Sequence, residues 1–163
     1  MGSGERRIIG VDPGLAASGW GMLEYSGQRA RHLAHGCIET QASQNHAERL
    51  FTIYKGIRAV IDEWRPAEAA VEVLFFARNV KSAIPVAEAR GVLCMALAEA
   101  GLCVREFTPN AIKQGVSGAA GADKRQVQEM VRMILGLDAV PRPDHAADAL
   151  AAAICAANYE IIL

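Results

Sequence analysis

Four side chains in this sequence have the types and placement that phosphodiester chemistry uses: Asp12, Glu72, His145 and Asp148. Asp12 closes a nearly all-apolar run (RIIGVD, Arg7 to Asp12), where a charge is costly to bury unless it is paired or bound to a metal. Standing before Pro13-Gly14, it is equally an ordinary turn residue. Glu72 lies between Val71 and Val73 with no further charge until Arg78, and an alternating strand with a solvated face explains it as well as catalysis does. His145 and Asp148, one helical turn apart at the start of the last helix, project from one face near the positive end of the helix dipole. The plain alternative is that Asp144 caps that helix and Asp148 complements its dipole. The alanine-rich stretch around them (HAADALAAAICAA) gives little reason for an exposed acid. Alone, none of these residues decides. Together they form an oxygen-rich donor set of the kind hard divalent cations prefer, and two such ions about 3.5 to 4 Å apart can stabilise both the attacking and the leaving oxygen in phosphoryl transfer.

The elements that must position them follow from periodicity. Arg7 to Asp12, Gly19 to Tyr25 and Ala30 to Thr40 read as three meandering strands, joined at Pro13-Gly14 and at Gln28 to Ala30. From His46 to Trp64, apolar residues recur at three- and four-residue steps and predict an amphipathic helix ended by Pro66. A strand over Ala69 to Phe75, a helix over Val80 to Ala100 and a strand over Leu102 to Phe107 come next. Thr108-Pro109 starts a short helix through Gln114. Gly115 to Ala122 reads as a flexible connection, Asp123 to Leu135 as a helix, and Ala146 to Tyr159 as the body of the last helix. This order predicts an α/β fold: a mixed sheet, antiparallel at one edge, flanked by helices.

Composition sets outer limits. The chain has 163 residues, 52% of them hydrophobic, enough for one well-packed domain. Met1 to Gly4 looks like an expression remnant, so residues 1–6 are expected to be a disordered start and residues 7–163 a single domain. A formal net charge of -1 means that any nucleic-acid surface must come from local clustering. Cys37, Cys94, Cys103 and Cys155 show no CxxC pairing and are expected to be buried, reduced thiols, which argues against zinc. No uncharged apolar stretch reaches the roughly 18 residues of a membrane span, so a cytoplasmic location is expected.

The motifs themselves carry a resemblance. IIGVDPGLAASGWG (Ile8 to Gly21), GCIET (Gly36 to Thr40), AVEVLFFARN (Ala70 to Asn79) and AEARGV (Ala87 to Val92) occur in the order found in the RuvC family of Holliday junction resolvases. NAIKQGV (Asn110 to Val116), ADKRQVQEMV (Ala122 to Val131) and HAADALAAAI (His145 to Ile154) extend it over essentially the whole chain after Arg6.

The resemblance implies an RNase H-like fold with a five-stranded mixed sheet, acting as a homodimer that resolves Holliday junctions by metal-dependent, symmetric paired nicking in recombination and DNA repair. The family's acidic positions fall on Asp12, Glu72 and Asp148; the fourth, an Asp in many members, is His145 here. Its imidazole is expected either to ligate a metal or to orient or deprotonate water, and to move preference from Mg2+ toward Mn2+. Two ions per site are implied. Lys113 and Lys124, two of only four lysines in the chain, occupy the family's basic positions and are expected to hold the scissile phosphate. Arg78, Lys81, Arg90 and Arg125 extend this set toward neighbouring phosphates. Of Phe75 and Phe76, one corresponds to the family's base-stacking aromatic, and Phe75 is the choice made here. The expected partners are four-way junction DNA, a second copy of the chain and the RuvA-RuvB branch-migration complex, with no membrane. The competing readings are an RNase H-like nuclease acting on RNA, a junction-binding protein with a decayed site, and an actin-like phosphotransferase, which would need two such domains.

Overall fold

The computed structural model describes residues 4–73 and 79–159. Five strands, β1 (Arg6–Asp12), β2 (Ala17–Ser26), β3 (Arg29–Glu39), β4 (Glu68–Glu72) and β5 (Cys103–Phe107), form one sheet in the order β3-β2-β1-β4-β5. The meander β1-β2-β3 is antiparallel, and β4 and β5 add parallel to β1, which gives the mixed sheet expected. Helices α1 (His46–Trp64) and α2 (Val80–Glu99) are followed, after β5, by α3 (Pro109–Ser117), α4 (Lys124–Leu135) and α5 (Asp144–Tyr159). Among the described residues, no helix is long and apolar enough to cross a membrane.

Strand alternation divides the sheet into two buried faces. Ile9, Val11, Met22, Ala69 and Val71 meet α1 and α2 in one core. Ile8, Leu23, Tyr25, Ala70 and Phe107 meet α3, α4 and α5 in the other. Asp12 and Glu72 fall in phase with this second set and so lie at strand ends on the α5 side.

On that side α5 approaches unusually closely. A Cβ on Gly10 would stand 1.8 Å from the Ala149 carbonyl oxygen, and one on Gly19 would stand 2.0 Å from that of His145. The facing helix surface is built of buried alanines, including Ala146, Ala149 and Ala153. Small residues on both partners let backbone meet backbone.

Four local expectations change. β1 begins at Arg6, inside the stretch expected to be disordered, because its guanidinium pairs with Glu68 at 2.7 Å. β4 ends at Glu72, and the predicted continuation to Phe75 runs outside the described residues. Gly115 lies within α3 and not in a flexible link: a Cβ there would be 2.9 Å from Cys155 Sγ, so its bare backbone lets α3 pack on α5, and the helix stops only at left-handed Gly118. Finally, of the four cysteines only Cys155 is buried; Cys37 and Cys94 are half-buried, and Cys103 is exposed on β5 at the sheet edge.

Adding one methyl at Gly10 forces α5 off the sheet. Overpacking of this kind costs about 1 to 3 kcal/mol, and an overlap with backbone places Gly10→Ala at the upper end. Chemical denaturation should show that loss, with Gly4→Ala, outside every helix and strand and with nothing within 4 Å of the added Cβ, as the unaffected control.

Candidate active site

The parallel register of β1 on β4 ends at Val11 and Val71, so Asp12 and Glu72 stand one residue beyond the last pair on adjacent strands. α5 then brings its first turn over Asp12. His145 Nδ1 lies 2.8 Å from Asp12 Oδ2, and one ligand atom from each of Asp12, His145 and Asp148 falls within 4.8 Å of the others. Glu72 joins this group across a cleft of about 230 Å3, lined also by Asp12, Pro13, Val86 and Arg90, and a second of about 330 Å3 shared with Lys113, Lys124 and Asp148. All four residues singled out from sequence therefore converge on one place, although a single three-residue cluster excludes Glu72.

The loop after Asp12 is clamped from three sides. Ser18 Oγ, fully buried, donates to the Gly14 carbonyl at 2.7 Å. Thr40 Oγ1 donates to the Leu15 carbonyl at 2.6 Å, and Arg49 Nε donates to Thr40 Oγ1 at 2.9 Å. Sequence reasoning missed these residues; the only signal was Thr40 at the end of the GCIET segment.

Electrostatics show what the site lacks in isolation. Burial pushes Glu72 from 4.5 to about 7, and the Asp12 and Asp148 carboxylates push the same way, against Lys113 and Lys124. Burial also raises Asp12, opposed by its hydrogen bond from His145 and reinforced by Asp148. Lys124 Nζ sits 3.2 Å from Asp148 and 3.9 Å from Asp144; burial works against its charge, but the surrounding carboxylates prevail and raise its pKa. Three carboxyl groups that repel one another, with an imidazole among them, suit a divalent cation: it satisfies the oxygen donors and removes the repulsion.

The outer basic residues are placed unevenly. Lys81 is exposed in the first turn of α2. Arg125 lines an open groove of about 640 Å3 between the α3–α4 connection and α4, next to Lys124. Arg90 turns inward, paired with Glu106 and donating from Nε to the Glu72 carbonyl at 3.4 Å. Phe75, Phe76 and Arg78 lie outside the described residues.

A profile of the family described as crossover junction endodeoxyribonuclease RuvC matches residues 8–156. The chain belongs to the RuvC family. A RuvC from Chloroflexus aurantiacus is 54% identical over 149 residues, covering 91% of each chain, and one from Treponema denticola is 50% identical over 151 residues, covering 93% of this chain and 85% of the relative. Among solved structures, Thermus thermophilus RuvC in complex with Holliday junction substrate superimposes with a TM-score of 0.91 at 37% identity, covering 96% of both chains. The RuvC assignment fixes the RNase H-like fold of the sheet.

Because the folded-state pKa of Glu72 is raised, the stabilisation linked to its proton is fully present below about pH 4.5 and is lost as pH rises through about 7. Thermal melts of metal-free protein should show wild type and Glu72→Gln coinciding near pH 4 and separating toward pH 8, with the variant more stable at the alkaline end. Parallel melting curves across this range would contradict the buried, repelled carboxyl.

Proposed function

We propose that this chain is an endonuclease that resolves four-way DNA junctions by paired symmetric nicking, with Asp12, Glu72, His145 and Asp148 as its metal-binding and catalytic residues. The observation that carries the reading is the meeting of Asp12, His145 and Asp148 at one strand end, beside Lys124, in a chain of the RuvC family. The Thermus relative binds a Holliday junction, and the same substrate class is proposed here.

Asp12, Asp148 and the His145 imidazole would hold a divalent cation, with Glu72 serving a second ion from the other side of the cleft. Such ions supply Lewis-acid stabilisation of the phosphate oxygens and lower the pKa of water. Lys113 and Lys124 border the cleft and are placed to hold the scissile phosphate and the charge that develops on it. Lys124 is held in reserve by Asp148, so its ammonium is already oriented toward the carboxylates when DNA arrives. Burial raises the pKa of Glu72 in the metal-free site, and a cation bound there would favour its carboxylate form, the form that can ligate. Lys81 and Arg125 extend the contact to flanking phosphates, and Phe75 is proposed to stack on an unpaired base.

Cutting two strands symmetrically requires two equivalent sites, which a two-fold dimer supplies. α2 offers a surface for it: Val80, Ile84 and Met95 are 64%, 49% and 58% exposed, Gly91 lies in the same stripe, and Phe51 of α1 adds another exposed ring. The RuvA-RuvB branch-migration complex is the proposed partner in recombination and repair.

Two experiments test these statements. On a synthetic four-way junction with Mg2+ or Mn2+, wild type should make paired nicks bearing 5′-phosphates, while Asp12→Asn binds and does not cut. Preferential cutting of an RNA-DNA hybrid would transfer the site to the RNA-directed reading, and binding without cleavage in either metal would mark a decayed enzyme. His145→Asp should shift the ratio of Mn2+- to Mg2+-supported rates toward Mg2+, since an imidazole suits manganese better than magnesium; an unchanged ratio would remove His145 from the ligand set.

A further inference from the structure

Arg90 projects from α2 into the active-site cleft, yet what it touches is protein. Its guanidinium pairs with Glu106 on β5 and its Nε donates to the Glu72 carbonyl at 3.4 Å, with the side chain only 22% exposed. Both partners belong to strand ends. Glu72 is the last residue of β4, its pairing to β1 has already stopped at Val71, and it is held from the β5 side by register with Phe107 and by the Val73 N–H donating to the Phe107 carbonyl at 2.7 Å. Beyond Val71, therefore, the catalytic end of β4 has a sheet neighbour on one side only. Arg90 supplies the missing restraint from the helical layer.

We propose that Arg90 is a positioning residue: it fixes the backbone of Glu72 to α2 and β5, and it does not grip a DNA phosphate. The inference rests on the reading of Glu72 as part of the nuclease site. Its physical basis is the pairing itself. A phosphate competing for Arg90 would have to draw a side chain that is only 22% exposed away from its joint contact with Glu106 and the Glu72 carbonyl. Retained in place, the guanidinium keeps a cationic donor within 3.4 Å of the terminal carbonyl. The arrangement also connects two functions. The next residue, Gly91, faces out on the exposed stripe of α2, and Glu88, two residues before, meets His46 of α1 at 2.7 Å. A change in the seat of α2 is thus delivered through Arg90 to the Glu72 backbone.

The test separates positioning from phosphate contact with two readouts. Junction affinity is measured metal-free by fluorescence anisotropy over a series of salt concentrations, and cleavage is measured in single turnover over a Mn2+ titration. For Arg90→Gln the expected result is affinity within about twofold of wild type with an unchanged salt slope, together with a cleavage rate lowered about 30-fold and a Mn2+ midpoint moved upward; misplacement by about 1 Å carries a cost of this order. Glu106→Gln, which frees the guanidinium but leaves the Glu72 contact available, should lower the rate less and should not tighten binding. A salt slope reduced by about one in Arg90→Gln, as loss of one phosphate contact predicts, would overturn the proposal, as would a rate and Mn2+ midpoint equal to wild type. Should Arg90→Gln melt below the assay temperature, Arg90→Lys decides on the same two readouts, because a lysine there keeps a cation for DNA but cannot make both protein contacts. Wild type that fails to cut the junction would instead defeat the nuclease reading itself.

Discussion

The structure depends on how closely α5 lies against β1 and β2. At Gly10 and Gly19 the approach is backbone to backbone, with no room for even a methyl group between strand and helix. Interiors are close-packed and resist small displacements, so a helix seated this way has essentially one axial position and one rotation. Both matter for chemistry. The rotation turns His145 and Asp148 toward the sheet, and the axial position puts them level with the end of β1, where Asp12 waits. The alanines of α5 are thus a positioning device as much as a core.

That rigidity allows the site to collect like charges. Asp12 is only 15% exposed, the Asp148 carboxylate beside it raises its pKa, and Asp12 and Asp148 together raise that of Glu72. Carboxyl groups free to move would separate. Here strand register holds Asp12 and Glu72 and the glycine-floored helix holds Asp148, so the repulsion persists in the folded state and makes the centre receptive to cations. Lys124 moderates the imbalance without cancelling it, being itself 60% exposed and tethered by its ammonium alone.

Much of this was legible in the residues. α1 runs from His46 to Trp64 as the periodicity predicts, because its apolar stripe is strong and Asn45 with Glu48 forms a capping box before it. Asp12 was recognisable because an acid at the end of a buried strand demands a reason. What could not be read were contacts made across the fold. The helical state of Gly115 depends on a cysteine forty residues later, since glycine-rich composition describes only local freedom. The clamp of Ser18, Thr40 and Arg49 around the Asp12 loop joins three separate elements. The pairing of Arg90 on α2 with Glu106, sixteen residues later on β5, likewise joins two elements that only the fold brings together.

The pairing of β1 with β4 has a consequence for how such a protein can diversify. Its connections, such as the one between α4 and α5, lie outside the sheet register and can gain or lose residues at small thermodynamic cost. Within β1 or β4 the opposite holds. Since side chains alternate faces, deleting or inserting a single residue before Asp12 or Glu72 would carry that carboxylate through the sheet to the α1–α2 side. Length variation among descendants of this sequence should therefore collect in the loops, while the spacing from Ile8 to Asp12 and from Glu68 to Glu72 stays constant to the residue.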